Sequence, residues 1–331
     1  MSAKSKIQWT DATWNPVVGC SPASPGCDNC YASRMAHRLG KNPATPQYAG
    51  LTEGGVWTGE TRLVEKALLQ PLGWKKGRRV FVCSMGDLFH ESVPFEWVDK
   101  VFSVMALASQ HTFMVLTKRP EQMREYLRRY DGVPTALTWP YPNIWLGVTA
   151  ENQAMADARI PILLDTPAAK RFVSVEPMLG PVNLEPWLED ACDSCDECRS
   201  DCHIHKTVYR DSKHLLDPEQ PAFGYHPEIV CLDWVICGGG TGPGARPMHP
   251  DWPRGLHDQC AAARVAFFFK QWGEWAPWDD DNWSLPSGAD DMVARDKSRM
   301  VGGIEFLKVG SSRAGRLLDG REHNDIPEVQ S

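Results

Sequence analysis

Residues 79–117, RVFVCSMGDLFHESVPFEWVDKVFSVMALASQHTFMVLT, hold one full period of the pattern that decides the fold. Two apolar runs, Arg79 to Cys83 and Thr112 to Thr117, flank a segment in which Val98, Val101, Phe102 and Met105 recur at helical spacing after Pro94. Continuous β-branched and aromatic runs of this length suit strands buried on both faces, and the spacing between them predicts an amphipathic helix. The period recurs outward. Further runs stand at Asn143 to Val148, Lys170 to Val175, Leu232 to Cys237 and Val265 to Lys270, with helical patterns at Pro120 to Tyr130, Glu151 to Leu164 and Gly255 to Arg264. An earlier strand is expected near Trp14 to Gly19. Such an array predicts an α/β fold, either a partial or complete parallel βα barrel or an open doubly wound sheet, and the barrel is favoured.

In a barrel the residues that follow each strand converge on one rim. Here they are Ser84 and Asp87, Lys118 and Arg119, Thr149, Glu151 and Asn152, Glu176, Gly238 to Gly240, and Gln271. The competing reading for each is a helix cap or a solvated loop. Two stretches break the rhythm, residues 41–78 and 185–230, and the rhythm ends after about residue 276, where a loop and a basic, solvated tail are expected. The expected divisions are 1–184 and 231–278 for the barrel, 185–230 for a Cys-rich insertion and 279–331 for an extension.

The 331 residues are 42% apolar and 23% charged, which excludes collagen, coiled coil and wholesale disorder. Thirty-five basic against 42 acidic residues leave a net charge of -7, so no bulk attraction to nucleic acid or anionic membrane is expected. The sequence shows neither an apolar run near 18 residues nor a secretory signal, and a cytoplasmic protein is expected.

The 11 cysteines are grouped, which in a reducing compartment points to metal before disulfide. Cys20, Cys27 and Cys30 lie on one Pro- and Gly-bearing loop, GCSPASPGCDNCYA, leading into a helix at Tyr31 to Leu39. Three thiolates can ligate three irons of a cubane and leave the fourth open. Zinc completed from elsewhere and redox thiols are the alternatives. The second group, CDSCDECRSDCHIH, offers Cys192, Cys195, Cys198 and Cys202 with His203 and His205. Zinc and an auxiliary iron–sulfur cluster both suit it, with free thiols a third reading.

Three closely spaced cysteines at the head of a βα array resemble the radical S-adenosylmethionine (SAM) superfamily, although this Cys-x6-Cys-x2-Cys loop is three residues longer than its commonest spacing. More specifically, IQWTDATWNPVVGCSPASPGCDNCYA, VFVCSMGDLFHESVP, FMVLTKRPEQM, NIWLGVTAENQ, RFVSVEPMLGPV, GGGTGPGARPMHPDW, FFFKQWGEW and AGRLLDGREHNDIP are similar to a phage-associated three-cysteine-motif family, many of whose members are of unknown function. The resemblance implies a [4Fe-4S] cluster on Cys20, Cys27 and Cys30, with SAM on the open iron. It also implies a reductant such as flavodoxin or ferredoxin. Ser84, Met85, Gly86 and Asp87 stand where the superfamily binds the SAM amino group, without its Gly-Gly-Glu form. Thr149, Glu151 and Asn152 stand where ribose or carboxylate contacts are expected, and Gly238, Gly239 and Gly240 offer close backbone approach to adenine or substrate.

Three candidates for catalysis follow from that resemblance. Cys83 would be a hydrogen-donating thiol, against a core cysteine; Glu176 would move a proton or bind SAM; Lys270, like Lys118 and Arg119, would bind an anion, against a solvated loop cation. Trp272, Trp275 and Trp278 would stack on a base or pack in the core. The substrate implied is a modified nucleobase in phage DNA, with isomerisation of an amino-acid-modified thymidine as the reaction. A DNA-lesion repair lyase is the second reading, and a metal-stabilised binding protein without catalysis the third.

Overall fold

A computed structural model describes residues 5, 7–129, 139–188, 230–278 and 298–328. Seven strands form one sheet: β1 (Ala12–Trp14), β2 (Arg79–Val82), β3 (Thr112–Thr117), β4 (Ile144–Thr149), β5 (Lys170–Val175), β6 (Trp234–Gly238) and β7 (Ala266–Gln271). Their spatial order is their chain order, and every pairing is parallel. Because each crossover steps to the next position in the same direction, the helices fall on one face and the sheet curls around the other. The result is a partial parallel βα barrel, and β1 does not pair with β7 among the described residues. The first strand lies at Ala12–Trp14, slightly earlier than the sequence predicts. Val17 and Val18 instead pair with the short strand Arg62–Leu63.

Period-two alternation sorts side chains between the faces. Val80, Val82, Phe113, Val115, Leu146, Val173, Val235 and Phe269 face the helices α2 (Phe95–Leu107), α3 (Pro120–Arg128), α4 (Gln153–Leu164) and α5 (Asp251–Ala262), meeting Val101, Met123, Ile160 and Leu256. The intervening residues Phe81, Met114, Trp145, Phe172, Trp234, Ile236 and Phe268 fill the concave side, where Trp9 packs among them with its ring centroid 4.9 Å from that of Phe81. Gly147 belongs to this concave layer. A Cβ there would lie 2.5 Å from the Phe172 ring, so the absent side chain makes room for the aromatic one.

The chain after residue 276 departs from the expected solvated tail. Strands β8 (Trp275–Trp278), β9 (Ser298–Val301) and β10 (Ile304–Lys308) form a three-stranded antiparallel sheet. Beyond it, Phe269 donates its N–H to His323 O and Asp325 donates to Phe267 O, so that residues 323–325 cover the edge of β7. The sequence signal for this was weak because short antiparallel strands carry little periodicity. No described helix is long and apolar enough to cross a membrane.

Candidate active site

The strand ends meet the cysteine loop at one rim. The loop leaves β1, passes Cys20 and the short 3-10 turn Pro25–Cys27, and ends at Cys30, which precedes α1 (Tyr31–Gly40). All three thiols are half-buried. Ala23 donates its N–H to Cys27 Sγ at 3.4 Å, and Arg119 donates to Cys20 Sγ at 3.7 Å. Burial, then the Asp87 carboxylate, push the Cys20 thiol up to about 12 against the opposing Arg119 charge, and Cys27 and Cys30 are near enough to add to the rise.

No group of three or more His, Cys, Asp or Glu side chains among the described residues converges on a single metal ion. A cubane takes each thiolate on a different iron, so it does not ask the sulfurs to converge on one point. Three soft donors on one loop, two of them accepting N–H groups, fit that kind of group. The second cysteine group, Cys192, Cys195, Cys198, Cys202, His203 and His205, lies outside the described residues.

Beside the loop is a cleft bordered by Cys30 and Tyr31 on one side, by Glu176, Gly239 and Gly240 on the other, and by Lys118. The segment after β6 crosses its mouth. Arg246 donates to Pro25 O at 2.7 Å and pairs with Asp28, while Arg34 of α1 donates to Thr241 O at 3.1 Å.

The expected rim residues divide into those at the cleft and those that build its walls. Glu176 is at the cleft and accepts a 2.6 Å hydrogen bond from Lys270 Nζ. Gly238 lies between them on β6, where a Cβ would come 3.3 Å from the Glu176 carboxyl carbon and 3.4 Å from Lys270 Cβ. Gly239 also meets a structural demand, since a Cβ there would strike Trp272 O at 1.8 Å. Lys118 is half-buried beside the cleft, and its charge reaches Glu151.

Glu151, Thr149 and Asn152 do not line the cleft, unlike the ribose or carboxylate contacts expected of them. Glu151 is fully buried, accepting from Gly26 N–H and from Arg159 Nη1, each at 3.0 Å. Burial raises its pKa, but the Lys118 charge, the Ser24 side chain, a backbone N–H and the Arg159 charge together outweigh that and hold the carboxyl below its ordinary value. It thus pins the cysteine loop to the strand end. Thr149 is buried and its carbonyl accepts from Arg159; Asn152 Oδ1 accepts from Met155 N–H and caps α4.

The Ser84–Asp87 segment is likewise committed to internal contacts. Asn15 Oδ1 accepts from Ser84 Oγ and from Met85 N–H, Met85 is buried, and Gly86 bridges to Gly19 at the start of the cysteine loop. Asp87 accepts from Thr117 Oγ1 at 2.7 Å and from the Phe89 and Lys118 N–H groups. Cys83 packs in the core among helix-facing residues, with burial pushing its thiol up to about 12, which leaves it as a core cysteine rather than a cleft thiol. Trp272 and Trp275 are buried too, so they pack rather than stack on a base.

Sequence reasoning missed Ser21 and His90. His90 Nε2 lies 2.8 Å from Ser21 Oγ, and burial followed by the Arg119 charge holds its imidazole below the ordinary value. The available signal was position: both sit within a few residues of strand-end motifs.

No curated protein matches the chain. Among solved structures, a mutant of spore photoproduct lyase is similar at 11% identity with a TM-score of 0.40, over 93% of this chain and 71% of that one. The family described as "Protein of unknown function (DUF5131)" matches residues 4–327, and the chain belongs to that family.

Proposed function

We propose that the protein is a radical SAM enzyme whose [4Fe-4S] cluster is held by Cys20, Cys27 and Cys30. The observation that carries this reading is the three-thiol loop bordering a cleft at the rim of a partial βα barrel, with no fourth Cys or His on the loop. When bound, the cluster with SAM would supply radical chemistry, namely one-electron reductive cleavage of SAM, driven by an external reductant of the flavodoxin or ferredoxin kind, to initiate hydrogen abstraction from substrate.

The chain's own residues bind and orient. Glu176 offers a carboxylate to an ammonium group in the cleft, while the hydrogen bond from Lys270 keeps that carboxylate aimed. Lys118 offers the cation for an anionic group, because the Arg119 donors are engaged internally and Lys270 is paired with Glu176. Gly239 and Gly240 present backbone to a flat ring. The Cys192–His205 group would hold zinc or an auxiliary cluster. The substrate to offer first is the one the sequence resemblance implies, an amino-acid-modified thymidine in DNA, and a DNA lesion second.

The test is iron, sulfide and zinc content of anaerobically reconstituted protein, with 5′-deoxyadenosine formation from SAM under a strong reductant. Iron with 5′-deoxyadenosine is expected, and Cys27→Ala should abolish both the loop's iron and the cleavage while the barrel stays folded. Zinc alone without cleavage would overturn the reading in favour of a metal-stabilised binding protein.

A further inference from the structure

Arg119 stands at the end of β3 with its side chain 6% exposed, and its guanidinium is engaged on every side. Nε meets both Glu91 oxygens at 2.9 and 3.0 Å; Nη1 meets Asp87 Oδ2 at 3.2 Å and Cys20 Sγ at 3.7 Å; Nη2 meets Ser21 O at 3.1 Å and Ser21 Oγ at 2.8 Å. A guanidinium has five N–H donors in a fixed fork, and this set of partners matches them. Asp87 is itself held by Thr117 and by backbone N–H groups, and His90 holds Ser21 from the other direction. The fork therefore ties the first cysteine, and no other, to the rigid end of a central strand.

We propose that Arg119 is the positioning residue of the cysteine loop, fixing Cys20 and setting the reduction potential of the cluster through its N–H to that one sulfur. The inference rests on the cluster reading above. Hydrogen bonds to ligand sulfur are among the levers that set cluster potentials, and a cationic donor stabilises the more reduced, more negative state. Lys cannot reproduce the fork, since its ammonium is a single point.

The experiment uses the full chain reconstituted anaerobically, reading iron per chain and the reduction potential by EPR-monitored titration for wild type, Arg119→Lys, Arg119→Gln and Cys27→Ala. The potential followed is that of the cluster which Cys27→Ala removes. Arg119→Gln is expected to shift it to a more negative value, with Arg119→Lys between Gln and wild type. If Arg119→Gln does not fold, the double variant Asp87→Asn/Arg119→Gln removes the stranded buried carboxylate and is read against Asp87→Asn alone. Full loading with an unchanged potential and unchanged EPR line shape overturns the role of Arg119 and leaves the cluster reading standing. A wild-type chain whose iron is insensitive to Cys27→Ala overturns the cluster reading, and the inference falls with it.

Discussion

Lys270 Nζ lies 2.6 Å from Glu176 Oε1, joining the ends of two strands over the one strand that separates them. Gly238 lies between them, and a Cβ there would press on both partners at 3.3–3.4 Å. Glu176 borders the cleft, so the pair helps to set the cleft's charge.

Gly238→Ala should therefore separate the pair while the chain stays folded. With SAM as the probe, equilibrium binding to reconstituted protein is expected to weaken roughly tenfold, about 1.4 kcal/mol. Glu176→Gln should weaken it by at least as much, consistent with about 1.5–3 kcal/mol for a hydrogen bond to a charged group. Unchanged affinity in both variants would remove Glu176 from the binding site.

Glu151 holds the loop through Gly26 and is itself held by Arg159, in a fully buried position. Glu151→Ala strands the Arg159 charge, and a loss of about 3–5 kcal/mol is expected by chemical denaturation. The carboxyl's pKa is lowered in the fold, from 4.5 when exposed. Its contribution is thus complete above that value and drains away as pH falls through the folded value. Melting temperature against pH from 7 to 3 should fall more steeply for wild type than for Glu151→Gln.

His323 sits where residues 323–325 cover β7, with its ring 4.6 Å from that of His257. Burial, then the His257 charge, lower its pKa from 6.5. The neutral ring is the one the fold prefers, so stability is complete above 6.5 and declines as pH falls toward the folded value. Amide exchange at Phe269 and Asp325, whose N–H groups make the covering bonds, should accelerate relative to the intrinsic rate at each pH between pH 6.5 and 5 in wild type. A His323→Asn variant that shows the same acceleration would assign it to another group.

Gly147 faces Phe172 inside the concave layer. Gly147→Ala should overpack that layer and cost about 1–3 kcal/mol, measured as a fall in the urea midpoint at constant slope. A neutral result would mean that the ring moves aside freely, which a close-packed interior does not allow.

Much of the scaffold was legible in the sequence because buried parallel strands and amphipathic helices leave long periodic marks. Lys170–Val175 is found where the pattern placed it, and Phe95–Leu107 begins directly after Pro94. The site was legible in its residue types and less so in their tasks. Asp87, Glu151 and Asn152 all stand at strand ends, yet each is consumed by a neighbour that only folding brings close: Arg119, Arg159 and the first turn of α4. Which rim carboxylate stays at the cleft depends on where cations from distant segments land, and spacing along a chain does not record that. The antiparallel sheet around Ile304–Lys308 was hidden for a different reason, since strands of four or five residues offer too few alternations to read.

The clasp between Arg246 and Pro25 spans 221 positions. Each sheet strand pairs with its neighbour in the chain, so a nascent polypeptide can add the strands one after another as they leave the ribosome. The cysteine loop belongs to the first of these units, yet its mouth is completed only when residue 246 has been synthesised. Until then the loop lacks the contacts that Arg246 makes with Pro25 and Asp28.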